Sequence, residues 1–150
     1  MFKKAQAAME FLMTYGWAIL VVLAAIAALA YFGVLSPDRF LPEKCTMPSG
    51  IACLDFAVPS NTSVILSLQN AAGFDMEEIS VTLKNDVGAT LCTSSTPPTL
   101  ANGVKASYTL TSCSLPPSGQ KVKAVINMQY NNSETHLQHD KIGELIAKMP

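Results

Sequence analysis

An uninterrupted run of 25 uncharged residues, Phe11 to Leu35, constrains this chain more than any other feature of its sequence. Most of these residues are Leu, Ile, Val, Ala or aromatic, and the first proline of the chain, Pro37, follows them. A helix of that length spans roughly 37 Å, enough to cross the hydrocarbon core of a bilayer. We therefore predict a helix over residues 6–36 that ends before Pro37. It is apolar on every face, so lipid or other helices must surround it, and the sequence favours neither environment.

The residues before this run indicate its orientation and processing. Lys3 and Lys4 precede it, which favours a cytoplasmic N-terminus and an external C-terminal region. A secretory signal peptide would have a shorter apolar stretch followed by a small-residue cleavage site, whereas here a small residue, Ala5, precedes a long one. Glu10 lies where the apolar run begins, and an acid there requires a partner or an interfacial position. Alternatively, Glu10 is an ordinary first-turn acid that the helix dipole stabilises.

The stretch KKAQAAMEF at residues 3–11, followed by LMTYGWAIL at 12–20, resembles the class III signal peptide of archaeal type IV pilins. The resemblance implies a basic leader over residues 1–5, which a prepilin peptidase removes by cleavage between Ala5 and Gln6. The family often has glycine at the last leader position, and Ala5 departs from this. Glu10 becomes the fifth residue of the mature chain, and Glu10 and Phe11 become assembly residues.

The same resemblance implies the partners of the chain and its location. The glutamate of the family pairs with the N-terminal ammonium of a neighbouring subunit, which is physically reasonable because neither charge enters an apolar bundle favourably alone. The chain would self-assemble into a helical filament with the help of an assembly ATPase and a membrane platform protein. The precursor would reside in the cell membrane and the mature chain in an extracellular filament.

The residues beyond the helix predict a linker and a β-rich head. Pro37, Pro42 and Pro48 predict an extended linker over residues 37–48. After it, apolar and polar residues alternate in six or seven short runs separated by turn residues, which predicts an antiparallel β-sandwich over residues 49–150. The predicted fold class is therefore α+β. The run LSLQNAAG at 66–73, followed by ISVTL at 79–83, resembles immunoglobulin-like adhesion modules of archaeal surface proteins.

All four cysteines follow the apolar run, on the predicted external side. Four cysteines allow three pairings. We favour Cys45–Cys53 at the start of the head and Cys92–Cys113 further along it. Close Cys-x-x-Cys pairs, which metal sites use, are absent, so no metal site is expected.

Two triplets match the acceptor pattern for N-glycosylation, at Asn61 and at Asn131, and both lie beside predicted turns. His136 and His139 are three residues apart in a predicted strand, so they would point to opposite faces and are expected to be exposed polar residues.

The sequence offers nothing that indicates an enzyme, a cofactor or a nucleic-acid interface. It contains no Gly-x-Ser-x-Gly, phosphate-loop or His-Glu-x-x-His pattern. Asp75, Glu77 and Glu78 are interpreted as a solvated edge, not as paired catalytic acids. The net charge is −1, so the chain lacks the excess of basic residues that nucleic-acid-binding proteins have.

Three functions remain open at this point. The first is a structural filament subunit, for which we favour adhesion over motility because the helix lacks a glycine-rich start. The second is a minor or tip pilin, or a membrane-anchored extracellular binding module. The third is an unprocessed membrane-anchored protein in which the leader pattern is coincidental.

Overall fold

The computed structural model describes residues 2–33 and 41–150. The chain divides into two units, residues 1–41 and 42–150. The first contains one helix and the second a β-rich head. The α+β class predicted from the sequence is confirmed.

The helix α1 spans Phe2–Tyr31 and is continuous through the residues predicted as a leader. Its end differs from the prediction, which placed it at residue 36 before Pro37. Gly33 has a positive φ of 69°, and its N–H donates to the carbonyl of Ala30 at 3.0 Å. Glycine adopts this left-handed conformation without a steric penalty and so terminates helices. The helix therefore ends at a glycine cap, while Pro37 lies outside the described residues.

The head contains eight strands within the described part of the chain, and every pairing between them is antiparallel. They are β1 (Lys44–Thr46), β2 (Ile51–Ser60), β3 (Ser63–Asn70), β4 (Met76–Lys84), β5 (Thr90–Ser94), β6 (Lys105–Thr111), β7 (Lys121–Asn132) and β8 (Gln138–Lys148). Their order in the sheet is β1-β8-β7-β4-β5-β6-β3-β2. The sequence predicted six or seven strands, and β1 and β5 are too short to show alternation.

The strand β1 corrects the predicted boundary between linker and head. Residues 44–46 were assigned to the linker, yet they pair with Glu144–Ile146 of β8. Lys44 also forms an ion pair of 2.6 Å with Glu144. The head therefore begins at Pro42 and not at residue 49. The segment between Pro42 and Pro48 is long enough for one three-residue edge strand. The earlier part of the predicted linker, 37–40, lies outside the described residues.

The sheet is nearly closed, and its two halves pack against each other like the layers of a sandwich. The hydrogen bonding is weakest between β5 and β6, which share a single residue pair, Thr93 and Thr111. The inner faces of both halves contribute to one core. Its largest fully buried side chains are Tyr108, Tyr130, Leu66, Leu68, Met76, Ile79, Leu83, Leu110, Ile126, Met128, Leu145 and Met149.

One buried amide orders the connection between β3 and β4. The Asn70 side chain is fully buried, and its Nδ2 donates to the carbonyls of Phe74 at 2.7 Å and Leu100 at 2.9 Å. Its Oδ1 accepts from the backbone N–H of Ala72 at 2.9 Å. These three hydrogen bonds give backbone polar groups in and beside the turn a partner, so Asn70 fixes the shape of residues 71–74.

Candidate functional site

The surface of α1 is the largest apolar feature among the described residues. Large apolar side chains are exposed around its whole circumference, including Phe11 at 60 % and Trp17 at 69 %. It is long and apolar enough over Lys3–Tyr31 to cross a membrane, judged by length and composition. Such a surface is unfavourable in water, since each large apolar side chain contributes about 1.5–3 kcal/mol when buried. The helix therefore requires an apolar partner or a bilayer.

The second half of α1 is rich in small residues. Five of the seven residues from 24 to 30 are alanine. Small side chains let helix backbones approach closely, which is how helices associate within lipid or within a bundle. This half of the helix is therefore suited to contact with other helices.

Three polar residues of α1 lie along one stripe. Gln6, Glu10 and Thr14 are spaced four residues apart, which places them on the same face. The Thr14 hydroxyl donates to the backbone carbonyl of Glu10 at 3.0 Å and is satisfied within the helix. The Glu10 carboxylate is exposed, and no cation of the described residues lies within ion-pair distance of it. When lipid or other helices surround the apolar run of α1, Glu10 is thus the charged side chain that enters this environment with it.

The predicted cleavage residues lie at the start of the same helix. Ala5 and Gln6 are exposed and helical. Gln6 precedes Glu10 by one turn, about 6 Å along the axis. The side chains of Gln6 and Glu10 therefore lie on the same face of the helix. Phe11, the second predicted assembly residue, packs its ring against Tyr15 with centroids 4.2 Å apart.

The cysteines form two disulfides, Cys45–Cys53 and Cys92–Cys113, which are the pairs favoured from the sequence. The first joins β1 to β2, the two strands at opposite ends of the sheet order. The second spans the weakly paired boundary between β5 and β6. The disulfides therefore connect the sheet where its hydrogen bonding is incomplete, and they indicate an oxidising, extracellular environment.

The two candidate glycan acceptors lie in different surroundings. Asn61 is exposed in the two-residue turn between β2 and β3. Asn131 lies within β7, and its Nδ2 donates to the carboxylate of Glu78. Glu78 occupies an irregularity in β4 with a positive φ of 51°. Among the described residues, the side-chain nitrogen of Asn61 makes no such bond, whereas that of Asn131 is occupied by Glu78.

Residues 2–33 and 41–150 contain no group of three or more His, Cys, Asp or Glu placed to hold a metal ion. The predicted pair His136 and His139 divides between two elements. His136 lies in the turn before β8 with a φ of 54°, and His139 lies in β8. The strand predicted to hold both therefore begins only at Gln138.

Sequence reasoning missed an aromatic groove of about 420 Å³ at one end of the head. Tyr130 stacks on His139 with centroids 5.5 Å apart, and Phe74 lies 6.2 Å from Tyr130. The sequence holds one hint of the groove, because apolar and polar residues alternate less regularly over Leu137 to Met149 than in the other predicted strands. In β8, His139 and Lys141 occupy positions on the inner face, where apolar residues were expected.

No protein-family model matches the chain, and no curated protein is similar to it in sequence.

Proposed function

We propose that the chain is a subunit of an archaeal type IV pilus-like filament, in which α1 forms the filament core and the head the outer surface. The observation that carries the proposal is a helix with apolar side chains on every face and one carboxylate, Glu10, without an ion-pair partner among the described residues, one turn after Gln6 and the small residue Ala5. Two disulfides in the head are compatible with an extracellular position.

The charge on Glu10 explains how such a helix would leave the membrane. Transfer from lipid to a helix bundle exchanges one apolar surrounding for another, so hydrophobic burial does not drive it. An unpaired carboxylate in an apolar surrounding is unfavourable, and the ammonium that cleavage creates at Gln6 of a neighbouring subunit would neutralise it. Pairing between neighbouring subunits therefore favours the bundle, and the alanines at 24–30 let the helices pack closely.

The role of the filament follows from its parts. A prepilin peptidase would cut between Ala5 and Gln6, and an assembly ATPase with its membrane platform would drive insertion of subunits. The helix lacks a glycine-rich start, which favours adhesion over motility. No step in this scheme requires catalysis by the chain itself.

Two substitutions test the proposal. Ala5→Phe places a bulky side chain at the cleavage position, and the chain should then retain its leader and migrate as the longer precursor on a gel. Unchanged processing would contradict the proposal. Glu10→Ala should permit membrane insertion but abolish filaments, whereas Glu43→Ala, at an exposed acid of the head unit, should leave them intact.

The second candidate is a membrane-anchored extracellular binding module. It is favoured by the length and composition of α1, which suit a single membrane span. The two functions differ in where the chain accumulates. A filament subunit sediments with sheared surface filaments, and an anchored module stays in the membrane fraction even when Glu10 is intact.

A further inference from the structure

We propose that the groove lined by Phe74, Tyr130, His139 and Lys141, here called the aromatic groove, binds a carboxylated sugar. The proposal goes beyond filament formation and does not depend on it, because it concerns the head alone.

The groove occupies the place where the nearly closed sheet remains open. The strand β1 pairs only with Glu144–Ile146, so the first half of β8 has no β1 partner. On that side, the ammonium of Lys141 donates to the carbonyl of Ser49, just before β2, at 3.3 Å. The small residues Gly50 and Ala72 line the groove, and the N–H of Ala71 donates to the carbonyl of Gly50 at 3.0 Å. A volume of about 420 Å³ accommodates one or two sugar rings.

The residues of β8 in this groove depart from the pattern of a core strand. Cross-strand partners share a face, and His139 and Lys141 are opposite the buried Tyr130 and Met128 of β7. Further along β8, Leu145 occupies the same inner face and is fully buried. The imidazole of His139 covers the buried Tyr130 ring but is itself exposed, and the ammonium of Lys141 places a charge on the face that elsewhere forms the core. Local departures of this kind are typical of functional sites.

The rings in the groove offer a stacking surface. One face of the His139 ring lies on Tyr130, and the residue is otherwise exposed. Phe74 is half-buried beside them. The face of a pyranose ring that carries C–H groups stacks on such rings, while its hydroxyls suit the exposed side chain of Ser49.

The charge of the groove selects an acid. None of the nine described residues that line it is Asp or Glu, and Lys141 is the cation among them. The Lys141 ammonium has three N–H groups, and the carbonyl of Ser49 takes one. The remaining two can donate to a carboxylate, and such charge-assisted hydrogen bonds are stronger than neutral ones. A carboxylated sugar meets both the stacking surface and the cation.

The experiment uses the full-length chain in lauryldimethylamine oxide, a detergent that contains no sugar. Cellobiuronic acid, which is glucuronic acid linked to glucose, is titrated and followed by saturation-transfer NMR, with cellobiose as the neutral match. We expect the acid to bind about tenfold more tightly than cellobiose, the value of one charge-assisted hydrogen bond. Lys141→Gln should remove that preference and Lys141→Arg should keep it.

Two further variants locate the binding. His139→Ala should weaken the binding of both sugars, since it removes the exposed ring. Lys148→Gln, at an exposed lysine of the same strand, should leave the affinity for both sugars unchanged. Equal binding of the two sugars, an unchanged preference in Lys141→Gln, or no binding of the acid would each overturn the proposal. Filament formation is scored separately on Glu10 variants, so failure of either proposal is recognised on its own.

Discussion

Cys45 and Cys53 lie 5.9 Å apart between their Cα atoms and join the two strands that stand at opposite ends of an eight-strand sheet. Cys45 is opposite Leu145 in β8, and Cys53 is opposite Leu68 in β3. The disulfide thus links both halves of the sheet at the side where strand pairing is absent. The three-residue strand β1 depends on it.

Replacement of both Cys45 and Cys53 by serine should therefore act locally on β1. In the chain-entropy account a loop this short contributes about 2.5 kcal/mol to the free energy of unfolding. Hydrogen exchange of the amides at 44–46 should accelerate, because β1 then has β8 alone. The paired variant Cys92→Ser with Cys113→Ser should lower stability by about 3 kcal/mol but leave β1 protected. Unchanged exchange at 44–46 in the first variant would contradict the role assigned to this disulfide.

Tyr108→Phe should not destabilise the head. The Tyr108 side chain is fully buried, and its hydroxyl has no hydrogen-bond partner in the part of the chain that the structure describes, so folding removes it from water without compensation. Removal of the hydroxyl should leave the free energy of unfolding unchanged or raise it by about 1 kcal/mol in chemical denaturation. A loss of more than that would show that the hydroxyl has a partner.

The same substitution should alter the dependence of stability on alkaline pH. Burial raises the pKa of Tyr108 to about 12, whereas the unfolded chain titrates near the usual 10.0. Between these two pH values the folded state holds more protons than the unfolded state. The protonated Tyr108 therefore contributes its full share to the free energy of unfolding below pH 10, and that share is lost as pH rises towards 12. The difference between wild type and Tyr108→Phe should change by about 3 kcal/mol over that window. A constant difference would contradict the burial of the phenol.

Asn70→Ala should be among the more damaging substitutions in the head. It leaves the carbonyl of Phe74 and the N–H of Ala72 without their side-chain partner, while the carbonyl of Leu100 keeps its bond from the N–H of Met76, and the expected loss is about 3 kcal/mol. Asn102→Ala is the matched control, since its exposed side chain accepts one bond from Gly73 at 3.2 Å. It should cost less than about 1 kcal/mol. Equal losses for the two variants would contradict the buried role of Asn70.

Gly143→Ala should destabilise the contact between β8 and the segment after β1. A Cβ at this position would collide with the carbonyl oxygen of Thr46 and the sulfur of Met47. Overpacking of this kind costs about 1–3 kcal/mol. Ile142→Ala, at an exposed neighbour, should change the melting temperature little. A Gly143→Ala variant as stable as the wild type would mean that Thr46 and Met47 move aside freely.

The sequence allowed the class of the fold to be predicted, because a long apolar run and repeated period-two alternation are both strong patterns. It did not allow the ends of elements to be placed. The helix ends at Gly33, whose left-handed conformation is a matter of local backbone geometry, and not at the more conspicuous Pro37. The strand β1 was missed because three residues cannot display a period.

The contents of the sites were predictable to different degrees. The cysteine pairs follow from spacing and from their position after the helix, and the structure contains both. The aromatic groove does not follow from the sequence, because Phe74, Tyr130 and His139 come from separate elements and only the strand pairing brings them together. The contrast between Asn61 and Asn131 likewise depends on Glu78, which is 53 residues from Asn131.

The N-terminal residue of the chain in sheared, purified surface filaments tests the central claim most directly. Intact-mass and N-terminal peptide analysis of that material should find the chain abundant, beginning at Gln6 and lacking residues 1–5. A chain that begins at Met1 and is found only in the membrane fraction would contradict the account.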